Sequence, residues 1–328
     1  MTVPVLRGLV SQHPEVKITF ISRPFYRPFF EGIPNVAFFS FDEKQRHKGF
    51  LGLIRLFGDL KRLDIDAFAD LHNVLRSQVI RNLFSLSGTR VAAVDKGRAE
   101  KAALTRAENK VFVQLPTMFE RHAKVFETLG FGINLSDPAF APKLKMNRAV
   151  GELAGQKNCK WIGIAPFAQY ESKVYPLDLM GKVVDALAEH ADYRIFLFGG
   201  GNQERELLDG LADERGNVVN VVGKIGFGEE LALISNLDLM VSMDSGNAHI
   251  AAMYGVKVVT LWGATHPFLG FGAFAQAAGN SLISDLKKFP KLPSSVYGNK
   301  IIVGYEDVMR SILTEDVIEK VEALIGND

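Results

Sequence analysis

The sequence predicts a protein of two α/β domains, each with a parallel sheet wrapped by helices. Short apolar runs alternate with helical patterns along all 328 residues, which is typical of parallel sheets. This length suits two domains of about 150 residues better than one core. Pro138 and Pro142, among small and basic residues, indicate a linker within 132–148. We therefore expect domains at 1–145 and 146–312, followed by an amphipathic helix at 313–328.

The first domain opens with a helix pattern at residues 1–9, in which an early proline is tolerated. Predicted strands follow at 16–21, 36–39, 67–71 and 90–94, with a weaker one at 110–114, and predicted helices at 47–61, 74–86 and 117–129. A doubly wound domain normally begins with a strand whose loop leads into its first helix. We therefore hypothesise that about 20 residues, one strand and its loop, precede this helix in the natural polypeptide. In-frame upstream codons for an apolar strand would support the hypothesis, and a stop codon would refute it.

The second domain shows the same alternation. Its predicted strands are 161–165, 194–198, 218–222, 239–242 and 256–261, and its predicted helices lie near 177–190, 202–214, 229–236 and 246–254. Residues 264–300 have a loop-like composition rich in Gly, Pro, Phe and Ser.

Composition indicates an ordinary globular protein, with 47% hydrophobic and 23% charged residues. A single cysteine, Cys159, excludes an internal disulfide. No apolar run approaches the ~20 residues of a membrane helix, and no signal peptide opens the sequence. We therefore expect a cytoplasmic location.

Charge is distributed unevenly between the predicted domains. Residues 1–145 carry 22 Lys and Arg against 14 Asp and Glu, whereas residues 146–328 carry 16 against 23. A basic first half favours contact with a polyanion or an anionic membrane surface, although solvated helix faces would give the same count. Nucleic acid is not expected, because the basic stretch lacks interleaved aromatics and a reader motif.

The strongest signal for a ligand site is the segment 239–253. It reads as a buried strand that ends on Asp244, Ser245 and Gly246 and continues at once into a helix. Backbone N–H groups at a helix start bind anions, so Ser245 and Gly246 are candidates for a diphosphate and Asp244 for sugar hydroxyls. His249 lies one turn further on. The alternative is that Asp244 only caps the helix and His249 is hydrogen-bonded in the core.

Two further candidates follow strands of the same domain. Lys173 comes after strand 161–165, at the edge where open α/β sheets bind ligands, and could neutralise a phosphate; a solvated surface lysine is the alternative. The glycines at 199–201 permit close backbone approach, and Glu204 could hold ribose hydroxyls. A contiguous glycine run often forms only a turn, and it is not the spaced dinucleotide fingerprint.

In the first domain, a basic stretch begins at Arg76 and Arg81. These side chains could grip a phosphorylated or carboxylated acceptor, but a solvated helix face fits each of them as well. Asp64 and Asp66 match the sequence pattern of a metal-binding D-x-D motif. We interpret them instead as the polar start of the strand predicted at 67–71. The histidines and the cysteine lack zinc spacing, so neither a metal nor another cofactor is expected.

These segments together resemble glycosyltransferase family 9, the heptosyltransferases of bacterial lipopolysaccharide core assembly. The resemblance covers nearly the whole chain and rests on residues 2–7, 70–77, 173–176, 199–204, 244–249 and 263–267. It implies a GT-B fold of two Rossmann-like domains facing across a cleft, with the final helix crossing back to the first domain.

The resemblance also implies an activity and a set of roles. Family members transfer heptose from an ADP-activated donor with inversion and without a D-x-D metal, onto an anionic lipid-linked oligosaccharide at the cytoplasmic face of the inner membrane. By position, Lys173 would contact the donor phosphates, Glu204 the ribose, and Ser245 and Gly246 the diphosphate. Asp244 would contact the sugar with His249 beside it, so Lys173 and Asp244 are the catalytic candidates. Arg76, together with Arg81, would bind the acceptor.

One family feature is absent from this sequence. A Gly-Asp pair that supplies the family's general base would precede residue 2, in the loop that we expect upstream. Two other functions therefore stay open: another nucleotide-sugar enzyme such as an epimerase, and a donor-binding protein with impaired catalysis.

Overall fold

The computed structural model describes residues 1–213, 215–300 and 302–326. Within these residues the chain divides into two compact units. Unit 1 comprises residues 1–98 and 116–139, and unit 2 comprises residues 99–115 and 140–328. The segment 99–115 therefore belongs with the second unit, although it lies inside the predicted first domain.

Up to residue 139 the structure follows the predicted alternation, except that it has a helix at Arg98–Thr105 that was not predicted and lacks the predicted strand at 110–114. In chain order the helices and strands of this part are α1 (Thr2–Gln12), β1 (Ile18–Ser22), β2 (Val36–Ser40), α2 (Gly49–Lys61), β3 (Ala67–Asp70), α3 (Leu75–Leu86), β4 (Arg90–Ala93), α4 (Arg98–Thr105) and α5 (Met118–Thr128).

The remaining elements build most of unit 2. They are α6 (Arg148–Ala154), β5 (Lys160–Ala165), α7 (Leu177–Ala188), β6 (Tyr193–Leu197), α8 (Gly201–Ala212), β7 (Val218–Asn220), α9 (Phe227–Ser235), β8 (Leu239–Met243), α10 (Gly246–Met253), β9 (Lys257–Trp262), β10 (Ser281–Ile283) and α11 (Thr314–Gly326).

Unit 1 contains two separate parallel strand pairs. β1 pairs with β2, and β3 pairs with β4. Helices α2 and α3 pack together, and their buried side chains Leu56, Leu60 and Phe84 form an apolar cluster. Helices α1 and α5 pack against each other. The strands are half-buried, unlike the central strands of unit 2.

Unit 2 is built on a six-stranded parallel sheet in the order β10-β9-β8-β5-β6-β7. Its central strands read as nearly continuous apolar runs, because helices cover both faces; every residue of β8 is buried. The chain winds in one direction from β5 to β6 and β7, and in the other through β8, β9 and β10. Ligands of open α/β sheets bind at such a switch point, outside the carboxyl ends of the strands.

Helix α11 packs within unit 2. Its apolar residues Val317, Val321 and Ile325 are buried in the core of that unit, and the helix contacts α7, β8 and β9. The family resemblance implies a final helix that crosses back to the first domain, whereas here the apolar stripe of the helix is matched to the core of unit 2.

The predicted strand at 110–114 does not form. These residues have no regular secondary structure and pair with no strand in the described chain. The Lys110 ammonium instead donates to the carbonyls of Lys291 and Pro293, at 2.9 and 2.7 Å, and the Leu115 amide donates to Phe268. These bonds attach the segment to the loops of unit 2. Among the described residues, no helix is long and apolar enough to span a bilayer.

Candidate active site

The segment 239–253 folds as the sequence predicts. Strand β8 ends at Met243, and α10 begins at Gly246 with Ser245 as its N-cap. Ser245 makes no side-chain capping bond; its hydroxyl lies 3.0 Å from that of Ser242. The first N–H groups of a helix have no partner within the helix. The turn therefore presents backbone donors at the carboxyl end of a central strand.

Asp244 does not cap this helix. Its carboxylate oxygen Oδ2 accepts from the Lys173 ammonium at 3.0 Å and from the Thr265 hydroxyl at 2.9 Å. Both charged side chains are largely buried, with 12% of Lys173 and 9% of Asp244 exposed. In such surroundings an ion pair is held in one geometry and is weakly screened by salt. The capping alternative for Asp244 is wrong, and the solvated-surface alternative for Lys173 is wrong too.

Two glycines permit the approach of the loop that carries Lys173. A Cβ on Gly263 would lie 2.3 Å from the Ser172 carbonyl oxygen, and one on Gly298 would lie 2.7 Å from the Lys173 side chain. Gly298 also has a positive φ of 88°, and its carbonyl accepts from the Ser172 hydroxyl at 2.6 Å. The position of Lys173 therefore depends on Gly263 and Gly298, which lie far from it in the sequence.

His249 lies one turn into α10 and is half-buried. Burial, with a contribution from the positive charge of Lys173, lowers the pKa of His249 to about 3. The imidazole is therefore neutral at physiological pH, so it cannot compete with Lys173 as a cationic phosphate ligand.

A cavity of about 410 Å³ brings these side chains together. Its lining includes the predicted residues Lys173, Asp244, Ser245, Gly246 and His249. Tyr170, Phe271 and Tyr297 line it as well and supply apolar ring surface. Sequence reasoning missed these aromatics, because they lie in irregular loops where no periodic pattern marks a side chain's direction. It included Thr265 in the segment 263–267 of the family resemblance but gave it no role.

Glu204 is not among the lining residues of this cavity. It lies in the first turn of α8, after β6 at the same carboxyl edge of the sheet, and its carboxylate accepts from the Gly200 amide at 2.7 Å. A carboxylate at this position satisfies a free N–H of the helix start. Its predicted contact with ribose stays a prediction.

The two arginines predicted for the acceptor lie in α3 of unit 1. Arg76 is exposed and pairs with Glu43 at 3.1 Å. Arg81 donates to the buried carboxylate of Asp70 at 3.2 Å and to the Asn73 side chain. The Arg81 charge therefore already balances a buried carboxylate, whereas the Arg76 guanidinium is accessible to a ligand. In residues 1–213, 215–300 and 302–326, no three His, Cys, Asp or Glu side chains are grouped as metal ligands.

An anion-binding helix start, a buried lysine and a buried carboxylate at the switch point of a parallel sheet define a nucleotide-binding class of α/β protein. Comparison with known proteins identifies the family. The model of glycosyltransferase family 9 (heptosyltransferase) matches residues 53–294.

Individual relatives agree with this match. The lipopolysaccharide core heptosyltransferase OpsX of Haemophilus influenzae is 25% identical over 271 residues, which cover 80% of this chain and 75% of that protein. The structure of a glycosyl transferase family 9 protein from Veillonella parvula aligns with a TM-score of 0.75 at 18% identity, over 100% of this chain and 93% of the other. The E. coli ADP-heptose lps heptosyltransferase II aligns with a TM-score of 0.67 at 17% identity, over 99% and 94%.

The chain belongs to glycosyltransferase family 9. It is a glycosyltransferase, and its fold is the GT-B fold of the solved heptosyltransferases.

Proposed function

We propose that this protein is an inverting heptosyltransferase that transfers heptose from ADP-heptose to a lipopolysaccharide-core acceptor. The observation that carries the proposal is the Lys173–Asp244 pair beside the start of α10. The names of relatives, a lipopolysaccharide core heptosyltransferase and an ADP-heptose lps heptosyltransferase, support the choice of donor and acceptor.

In this proposal the donor diphosphate lies at the start of α10. An ammonium has three N–H donors, and the bond to Asp244 uses one of those of Lys173. The other two, with the backbone N–H groups that follow Ser245, would stabilise the negative charge that grows on the departing ADP. Asp244 holds Lys173 in place and faces the sugar. A base of the first domain would take the proton of the acceptor hydroxyl.

The experiment measures ADP released from ADP-heptose with and without a heptose-deficient core acceptor. The proposal predicts release that depends on the acceptor, together with an acceptor heavier by one heptose in the mass spectrum. Release without acceptor, with a rearranged sugar as product, would favour the epimerase. Donor binding without either product would favour the binding protein.

We further propose that the enzyme contacts an anionic bilayer through α2. Phe50, Leu51 and Ile54 are 66%, 68% and 45% exposed, and 3.6-residue periodicity places them on one face. The opposite face buries Leu53, Leu56 and Leu60 in unit 1. The exposed Lys48 and Arg55 flank the apolar face. An exposed apolar stripe with basic neighbours is typical of helices that lie in a membrane interface.

A further inference from the structure

We propose that Thr265 is a positioning residue for the donor sugar. Its hydroxyl orients the Asp244 carboxylate so that the second carboxylate oxygen, Oδ1, accepts a hydrogen bond from a sugar hydroxyl. This role rests on the proposed function, because it concerns the same donor site. It separates recognition of the sugar, through Thr265 and Asp244, from recognition of the diphosphate.

The two oxygens of the Asp244 carboxylate have different surroundings. Oδ2 accepts from the Thr265 hydroxyl at 2.9 Å and from the Lys173 ammonium at 3.0 Å. Oδ1 accepts from no donor in the part of the chain that the structure describes. It is not sealed from solvent either, so it opens onto the cavity that Asp244 lines. An ionised carboxylate oxygen has about two acceptor sites, and those of Oδ1 are available to a ligand.

A bond from Lys173 alone would not hold the carboxylate in this orientation. Rotation of the aspartate carboxyl group about χ2 is broad, without sharply separated staggered states. An ammonium carries three donors on a flexible four-carbon stem, so Lys173 can follow either oxygen as the carboxylate turns. The side chain of threonine is stiff at χ1 because it is β-branched. A second bond from Thr265 to the same oxygen therefore fixes which oxygen faces the cavity.

Thr265 is itself held in place by its neighbours in the chain. Only 2% of the residue is exposed. The Ala264 amide before it donates to the Ser172 carbonyl at 3.0 Å, which attaches this segment to the loop that carries the lysine. The Nδ1 atom of His266 after it accepts from the Phe268 amide at 3.1 Å. The hydroxyl of Thr265 therefore comes from a fixed backbone, as a positioning group requires.

The groups of the cavity divide between the two parts of the donor. The Lys173 ammonium and the backbone N–H groups at the start of α10 attract the anionic diphosphate. The Asp244 carboxylate repels phosphate and accepts from hydroxyl groups. Hydrogen bonds to an ionised acceptor are roughly twice as strong as neutral ones. ADP has the diphosphate but lacks the transferred sugar, so its binding should not depend on the direction of Oδ1.

The test compares calorimetric titrations with ADP and with ADP-heptose. Thr265→Val keeps the branched shape of the side chain and the Lys173–Asp244 pair, and removes only the hydroxyl. We expect this variant to bind ADP-heptose about tenfold or more weakly than the parent, and ADP within about twofold of the parent. Thr265→Ser, which restores a hydroxyl, should recover most of the affinity for ADP-heptose. If the valine variant does not fold, Thr265→Ala removes the same hydroxyl and carries the same expectation.

The matched control is Thr260→Val in strand β9. Thr260 is 4% exposed and lies in the same unit. Its hydroxyl is not among the donors that reach the Asp244 carboxylate within the described residues. This variant should bind both nucleotides as the parent does. Melting temperatures are measured for all variants, so that each titration refers to a folded protein.

Two results would overturn the role of Thr265. The first is a folded valine variant whose affinities for ADP and ADP-heptose change by the same factor or do not change. The second is a parent protein that binds ADP-heptose no more tightly than ADP, because the sugar would then add nothing to binding. The proposed function fails in a different way: the parent would form no heptose-containing acceptor product, whichever residue stands at position 265.

Discussion

The Lys173 ammonium lies 3.0 Å from the Asp244 carboxylate, in a cavity that also contains the start of α10. Replacing Lys173 by Ala removes the side-chain cation from the proposed diphosphate site. Loss of one such electrostatic contact typically costs about 3 kcal/mol in the transition state. We therefore expect Lys173→Ala to lower the rate of ADP release by about two orders of magnitude, measured under saturating acceptor.

The controls for this variant distinguish the effect of losing the Lys173 charge from the effect of losing the folded structure. Lys224→Ala removes an exposed lysine of the same unit and should leave turnover unchanged. Lys173→Ala also leaves Asp244 without its counter-ion, which destabilises a protein, so the melting temperature is measured in parallel. Normal turnover in a folded Lys173→Ala protein would refute the role of Lys173.

A substitution at Gly298 tests whether ADP binding depends on the position of Lys173. Gly298 and Gly304 both have positive φ, 88° and 83°, so alanine costs each about 1 kcal/mol of backbone strain. Only at Gly298 would the new Cβ lie 2.7 Å from Lys173; around Gly304 nothing lies within 4 Å. We expect Gly298→Ala to weaken ADP binding about tenfold or more, while Gly304→Ala binds as the parent does. Equal affinities in calorimetric titrations would contradict this.

Helix α9 carries a partly buried carboxyl group, that of Glu230, in its first turn. Burial raises the pKa of Glu230 from 4.5 to about 7, although a helix start favours negative charge by about 0.3–1 kcal/mol. Between pH 4.5 and about pH 7 the folded state binds more protons than the unfolded state. The contribution of Glu230 to stability therefore falls as the pH rises through this range. Glu230→Gln should therefore raise the melting temperature relative to the parent more at pH ~8 than at pH ~4.5. An equal difference at both pH values would show that Glu230 does not titrate in this way.

Helix α2 carries the proposed membrane contact on its exposed apolar face. Serine at Phe50 and at Leu51 removes apolar surface from the exposed face and leaves the buried leucines intact. Loss of each side chain should weaken partitioning from water into the bilayer by about 1.5 kcal/mol, which lowers the partition coefficient close to tenfold. We expect the double variant to lose co-sedimentation with phosphatidylglycerol-containing vesicles, whereas Leu313→Ser, an exposed leucine of unit 2, keeps it. Equal sedimentation of both variants would exclude α2 as the membrane contact.

Elements with a strong periodic pattern were predictable from the sequence. The strand, turn and helix of residues 239–253 follow from an apolar run, a polar turn and a small-residue helix, and β8 and α10 confirm them. The segment 110–114 reads as a strand by composition, but its partners are side-chain and loop contacts that lie far away in sequence. A three-residue strand such as β10 is too short to give a pattern.

The class of fold could be predicted from the sequence, but the loop contacts that enclose the site could not. Alternating strands and helices indicate parallel sheets, and the order of strands around β5 then locates the ligand edge. The sequence does not indicate that Thr265 would share the Asp244 carboxylate with Lys173, or that Gly298 would pack on Lys173. Both contacts form between loops whose conformation depends on tertiary packing.

We propose that the cavity at the carboxyl ends of β5 and β8 binds a sugar diphosphate, and calorimetric titration with ADP-heptose tests this binding. We expect binding at one site per chain, weakened about tenfold or more by Lys173→Ala and unaffected by Lys224→Ala. Absence of binding to the parent protein, or equal affinity in the parent and in a folded Lys173→Ala variant, would contradict it.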